Sequence, residues 1–147
     1  MHITIDPSSS SPLYMQIHDC IVADIATKEL APGEALPSIR SLANDLEINL
    51  HTVNKAYALL RDEGYLRMQG RKGATITQPA HANETLAAQA AQSKMEEDLF
   101  KLALTYRARG GSRNAFLKTA TVQAIRAYEL TDAHDDTHNL ENHRENK

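Results

Sequence analysis

Apolar residues recur every fourth position at Leu13, Ile17, Ile21 and Ile25, with Cys20 and Asp24 alongside. That spacing predicts one amphipathic helix reaching about Thr27. Ser11 is a suitable N-cap, and Pro12 suits the first helical position, where a missing N–H costs nothing. Before it, the alternating Ile3 and Ile5 lead into a four-serine run, which reads as a short extended arm and a flexible joint. After it, Ala31-Pro32-Gly33-Glu34 reads as a turn.

Two short helical patterns follow, Ser38–Leu46 and Leu50–Glu63, only three residues apart. Ser38 is placed to cap the first, whose Leu42, Ala43 and Leu46 point one way. Asn49 is placed to cap the second, whose apolar stripe is Val53, Ala56, Leu59 and Leu60, and Gly64 closes it. Tyr65–Met68 and Ala74–Thr77 are short extended runs flanking Gln69-Gly70-Arg71-Lys72-Gly73, a pattern that predicts a β-hairpin with a basic tip between glycines. Pro79 marks a boundary. From Glu84 to about Arg109 the chain carries Met95, Leu99, Leu102 and Tyr106 at the spacing of a helix–helix seam, until Gly110-Gly111 stops it. Ser112 can cap a second helix to about Leu130, with Leu117, Thr121, Ala124, Ile125 and Tyr128 on one side and Phe116 and Ala120 beside them. The tail 131–147 has almost no apolar content and reads as disordered and acidic. No internal repeat appears.

Composition narrows the picture. The 147 residues are 41% apolar and 24% charged, enough for a small domain with an appended helical piece. A net charge of −3 argues against binding polyanions through overall charge, so any such site must be local. It is local in the pattern: residues 36–78 hold Arg40, Lys55, Arg61, Arg67, Arg71 and Lys72 against Asp45, Glu47, Asp62 and Glu63, whereas the acidity concentrates after Glu129. One cysteine, an N-terminus with neither basic nor apolar leader character, and no long uncharged apolar run lead us to expect a cytoplasmic protein without a membrane span. No nucleophile–base pair, phosphate-cradling glycine motif or carboxylate pair stands at useful spacing, so enzyme activity and a cofactor are not expected. Cys20, on the apolar face of the first helix, reads as a structural thiol. His134, His138 and His143, with Asp135 and Asp136, lie in the acidic tail and are not read as a metal site.

Helix, tight turn, helix and basic hairpin after a leading helix make a winged helix-turn-helix. The fold class is therefore mainly α with a small β-hairpin wing, in three parts: a winged helix-turn-helix DNA-binding domain over 1–78, a two-helix region over 79–130 whose stripe reads as a dimer or packing seam, and the tail over 131–147. The arrangement crosses two short helices steeply, so the second offers its N-terminal residues to a DNA major groove. It needs a small residue at the crossing, Ala43, and an apolar one inside the second helix, Val53. At the first turn position Glu47 stands where glycine is usual, a departure worth about 1 kcal/mol if the backbone is left-handed there.

Pro12-Leu13-Tyr14 with Gln16-Ile17, Leu36-Pro37-Ser38-Ile39-Arg40-Ser41-Leu42-Ala43, Thr52-Val53, Ala56-Tyr57 with Leu60, Glu63-Gly64-Tyr65-Leu66 and the Gly70–Gly73 wing stand together in order. Over residues 3–78 this resembles the DNA-binding domain of GntR-family bacterial transcription regulators, and the short two-helix remainder is similar to the YtrA-type subfamily. The resemblance implies a homodimer on double-stranded operator DNA, a repressor more than an activator, and genes of transport among the targets. It places DNA contacts on Ser38 and Arg40, on Asn49, Leu50, His51, Thr52, Asn54 and Lys55 of the second helix, and on Gly70, Arg71, Lys72 and Gly73 of the wing. Met95, Leu99, Leu102, Tyr106, Leu117, Ile125 and Tyr128 form the implied dimer seam. Leu50 and Asn54 replace the arginines of many members, so the operator read should differ from theirs, with a thymine methyl as one contact for Leu50. Two other readings stay open: a winged helix used for protein partners, and a regulator gated by a small effector.

Overall fold

The computed structural model describes residues 3–70, 73–77 and 86–141, the side chains of 86–88 and 131–141 excepted. The chain forms two compact units, Met1–Pro79 and Ala80–Lys147. In the first, the elements run α1 (Leu13–Ala26), β1 (Ala35–Leu36), α2 (Ile39–Asp45), α3 (Leu50–Asp62), β2 (Leu66–Met68) and β3 (Ala74–Ile76). The predicted hairpin is present, with Leu66 opposite Ile76 and Met68 opposite Ala74. It gains a third strand: β1 pairs antiparallel with the other edge of β3, Leu36 opposite Ala74, giving the order β1-β3-β2.

The periodic positions converge on one core. Ile17 and Ile21 of α1, Leu42 and Ala43 of α2, Val53, Ala56, Tyr57 and Leu60 of α3, and Leu36, Leu66, Ala74 and Ile76 of the sheet are all buried in a single cluster, joined by Leu30. Burying each large aliphatic side chain contributes about 1.5–3 kcal/mol, so this cluster holds the unit together.

The N-terminal arm differs from expectation. Ser11 does not cap α1; Pro12 is the cap residue and makes no side-chain cap bond. The serine run is not a loose joint either. Gln16 reaches back from α1, its Oε1 accepting from the Asp6 N–H at 2.7 Å and its Nε2 donating to the carbonyls of Asp6 at 3.0 Å and Ser11 at 2.8 Å. The Asp6 carboxylate takes both the N–H and the hydroxyl of Ser8. Ile3 and Ile5 are thereby held against the core. Cys20, half-buried, donates its thiol to the Thr4 carbonyl at 3.7 Å, a packing role.

Two junctions set the angles. At the end of α2, Glu47 has φ +54°, and the N–H groups of Glu47 and Ile48 close on the carbonyls of Asn44 (3.2 Å) and Ala43 (3.0 Å). This is a Schellman closure with an L-residue in the left-handed position that glycine usually fills. At the far end of α3, Gly64 and Tyr65 close on Arg61 and Leu60 in the same pattern. There His18 of α1 donates or accepts at both ring nitrogens, Nε2 to Glu63 Oε2 at 2.7 Å and Nδ1 to Asp19 Oδ1 at 2.8 Å, with Tyr65 edge-on to its ring. Burial pushes the imidazole pKa down, but the bonds and charges of Glu63 and Asp19 outweigh it and leave the pKa above its ordinary 6.5.

In the second unit α4 (Leu86–Ala108) and α5 (Arg113–Glu141) flank Gly110-Gly111. The Ser112 hydroxyl accepts from the Ala115 N–H at 3.2 Å, as its capping role requires, and the Tyr106 and Phe116 rings meet with centroids 6.0 Å apart. A Cβ at position 111 would run into the Tyr106 ring, so a side chain there requires that ring to move. α5 does not end near Leu130 but continues to Glu141, through most of the stretch read as disordered. No glycine or proline follows Gly111 to stop it, and polar composition removes a core without removing helical backbone bonds. Residues 142–147 lie outside the described residues, as do the side chains of His134, His138 and Asp135 with Asp136.

Two predictions arise here. Glu47→Gly relieves the left-handed backbone and should raise stability by about 1 kcal/mol, read as a higher melting temperature; an unchanged or lower one would contradict the strain. Because the folded pKa of His18 is raised, its contribution is fully present below 6.5 and is lost as pH rises through the folded value. Thermal melts from pH 6 upward should therefore lose stability, and His18→Gln should flatten that slope.

Candidate nucleic-acid interface

α3 is divided along its length. Val53, Ala56, Tyr57 and Leu60 have no exposure at all, while Leu50, His51, Asn54 and Lys55 face solvent and Thr52 is half-buried. The first turn is opened by Asn49, whose Oδ1 accepts from the His51 N–H at 2.8 Å. Asn49 is thus an N-cap, which spends its oxygen on the helix. Leu50, 41% exposed, is a large apolar side chain on an otherwise polar surface.

Ser38 is likewise a cap, its hydroxyl accepting from the Ser41 N–H at 3.1 Å to start α2. One turn in, Arg40 is exposed and makes no hydrogen bond or ion pair among the described residues. Arg61, by contrast, is tied to Asp62 through Nε at 2.9 Å and Nη2 at 2.7 Å, so its charge is already answered.

The start of α2, the body of α3 and the base of the wing meet at Pro37. The Tyr57 hydroxyl, from the buried side of α3, donates to the Pro37 carbonyl at 3.0 Å, and burial pushes its phenol pKa far up, so it remains a donor. Gly73, at the wing's return, has φ +96°, and a Cβ there would lie 2.7 Å from the Leu36 carbonyl oxygen and 3.3 Å from Pro37. No other residue fits this approach without moving the strand. The Gln69 N–H donates to the Gly73 carbonyl at 2.9 Å, closing the wing loop, and Gly70 is also left-handed at φ +61°. Arg71 and Lys72 lie outside the described residues.

Two features escaped the sequence. Tyr57 adds a fully buried side chain to the apolar stripe of α3, a place its residue type does not announce because a tyrosine serves core and surface alike. Lys55, expected simply to reach DNA, has its ammonium 3.8 Å from the centroid of the Tyr14 ring of α1. Contacts between elements far apart in sequence leave no periodic signal.

In the second unit, the stripe Met95, Leu99, Leu102 and Tyr106 of α4 and Leu117, Ile125 and Tyr128 of α5 is exposed in the single chain, Tyr128 to 78%. Phe100, Leu104, Val122 and Leu130, outside the predicted stripe, are exposed as well. The ion pairs Lys94–Asp98 and Glu97–Lys101, each at 2.6 Å, mark the polar side of α4. Among the described residues no helix is long and apolar enough to cross a membrane.

Comparison with known proteins agrees with this architecture. A sequence profile described as bacterial regulatory proteins, gntR family, matches residues 13–76. The HTH-type transcriptional repressor YtrA of Bacillus subtilis is 38% identical over 78 residues, covering 53% of this chain and 60% of the repressor, under two thirds of its length. Among solved structures, YtrA from Sulfolobus acidocaldarius, a GntR-family transcription factor, is 39% identical, covers 70% of this chain and 97% of its own, and superposes with a TM-score of 0.56. A transcriptional antiterminator from Listeria monocytogenes shares the fold, with a TM-score of 0.73 at 24% identity, over 87% of this chain and 93% of its own. With the winged helix, the divided α3 and these relatives in agreement, the chain belongs to the GntR family of bacterial regulatory proteins.

Proposed function

We propose that the chain is a homodimeric, sequence-specific DNA-binding transcription regulator that represses by occupying its operator. The observation that carries this is the division of α3: Leu50, His51, Asn54 and Lys55 lie exposed along a helix whose other side is locked in the core. In this reading α3 enters a major groove, Asn54 pairs with a base edge, Leu50 meets a thymine methyl, Arg40 grips the backbone and the Gly70–Gly73 wing adds phosphate or minor-groove contacts. Asn49 and Ser38 serve as caps, Asn49 taking the His51 N–H for the helix itself, so in this reading the phosphate contacts come from side chains.

One winged unit holding a few phosphates binds weakly and loses affinity steeply with salt. Pairing two copies makes the second set of contacts intramolecular. The apolar side chains of α4 and α5, exposed in one chain, supply the pairing surface, over the region 79–130. Two α3 helices would then sit in half-sites about 34 Å apart, one helical turn of DNA. Blocking polymerase, and an operon of transport genes as target, follow the YtrA-type resemblance.

Arg40→Ala and Arg71→Ala should each weaken binding to a duplex from the promoter beside the gene by about 1–3 kcal/mol without lowering the melting temperature, measured by mobility shift across a salt titration. Unchanged affinity in both would refute the assignment. Deleting 84–130 should convert a dimer to a monomer in sedimentation; a dimer that survives the deletion would move the pairing surface elsewhere.

A further inference from the structure

Lys55 stands on the exposed side of α3, one turn after His51, on a flexible four-carbon stem that would ordinarily sample many rotamers. Here its ammonium is held. Nζ lies 3.8 Å from the centroid of the Tyr14 ring, well inside the range in which a ring quadrupole attracts a cation. Tyr14 is itself half-buried against the core cluster, so the ring is a fixed platform on α1, while Lys55 remains exposed.

The chemistry of the restraint matters. A carboxylate partner orders a cation by cancelling its charge, which is what Asp62 does to Arg61 at 2.7 Å. An aromatic face orders the ammonium and leaves its unit charge and N–H donors intact. Of these two cations on α3, the one nearer the helix's N-terminal end is thus immobilised without being neutralised.

We propose that Tyr14 is a positioning residue for DNA binding, which presents the Lys55 ammonium to the phosphate backbone already ordered. This rests on the DNA-binding reading given above. The effect acts on affinity through Lys55 alone, so Tyr14→Phe, which keeps the π face, should behave as the native chain does. Tyr14→Leu, which keeps apolar bulk and loses the quadrupole, should bind about two- to five-fold more weakly at low salt.

The test uses the full-length chain and a duplex that it selects from a random-sequence pool. Affinities are measured for the native chain, Tyr14→Phe, Tyr14→Leu, Lys55→Met and the Tyr14→Leu/Lys55→Met double variant. Support requires the loss in Tyr14→Leu, its absence in Tyr14→Phe, and no further loss when Tyr14→Leu is added to Lys55→Met. Equal binding by Tyr14→Leu, or a loss that persists in full without Lys55, overturns the proposal and leaves the DNA reading standing. A native chain that retains no duplex overturns the reading and the proposal with it. Should Tyr14→Leu fail to fold, the native chain alone decides: the ring current should move the Lys55 Hε resonances upfield of those of the other lysines, and unshifted resonances overturn the proposal.

Discussion

A single carbonyl, that of Pro37, organises the N-terminal unit. It receives the hydroxyl of Tyr57 from the buried side of α3, adjoins the Ser38 cap that starts α2, and lies beside the glycine at which the wing returns. Leaving a buried carbonyl or hydroxyl unpaired costs about 1–3 kcal/mol, so this bond resists any rotation of α3 against the α2 entry. The restriction is steric as well as polar, because Gly73 admits no side chain against Leu36 and Pro37. Arg40, the exposed row of α3 and the wing base thus descend from one fixed point. A surface that reads grooves needs this more than it needs total charge, since contacts that are not held in register with one another do not add.

The net charge of −3 and a polyanionic partner are reconciled in the same way. Exposed charges act over only about 8–10 Å at moderate ionic strength, so what matters to a polyanion at α3 is the set of charges beside it rather than the sum over the chain. What counts locally is which cations remain available. Arg61 does not, being paired to Asp62, whereas Arg40 and Lys55 carry no carboxylate partner among the described residues. The large apolar side chains left open on α4 and α5 are the surface on which the proposed pairing rests.

Much of this was legible in the sequence, for physical reasons that differ from element to element. The stripes of α1, α2 and α3 announced themselves because burial enforces helical period; the turn position of Glu47 followed from the spacing of the two helices, but its left-handed backbone was only a condition there, met by its φ of +54°. β1 was missed because two residues cannot display a period; its strand character comes wholly from pairing with β3. The serine run reads as a flexible joint because the order of the N-terminal arm depends on Gln16 reaching back to Asp6, a contact that composition does not record. α5 runs to Glu141 because helical backbone bonds do not require an apolar face. At the site, exposure of Leu50, His51, Asn54 and Lys55 was legible from the positions left over by the core and the cap role of Asn49 from its place before the helix, while the ring beneath Lys55 needed coordinates.

The central claim is that the exposed row of α3 is the surface that meets duplex DNA. Amide chemical-shift mapping of the isotopically labelled chain, titrated with duplex DNA, tests it residue by residue. The account predicts perturbations concentrated at Arg40, Leu50, His51, Asn54, Lys55 and the wing from Gly70 to Gly73, with the α4 and α5 amides little changed. Perturbations confined to α4 and α5, or absent from α3 at saturating DNA, would contradict it.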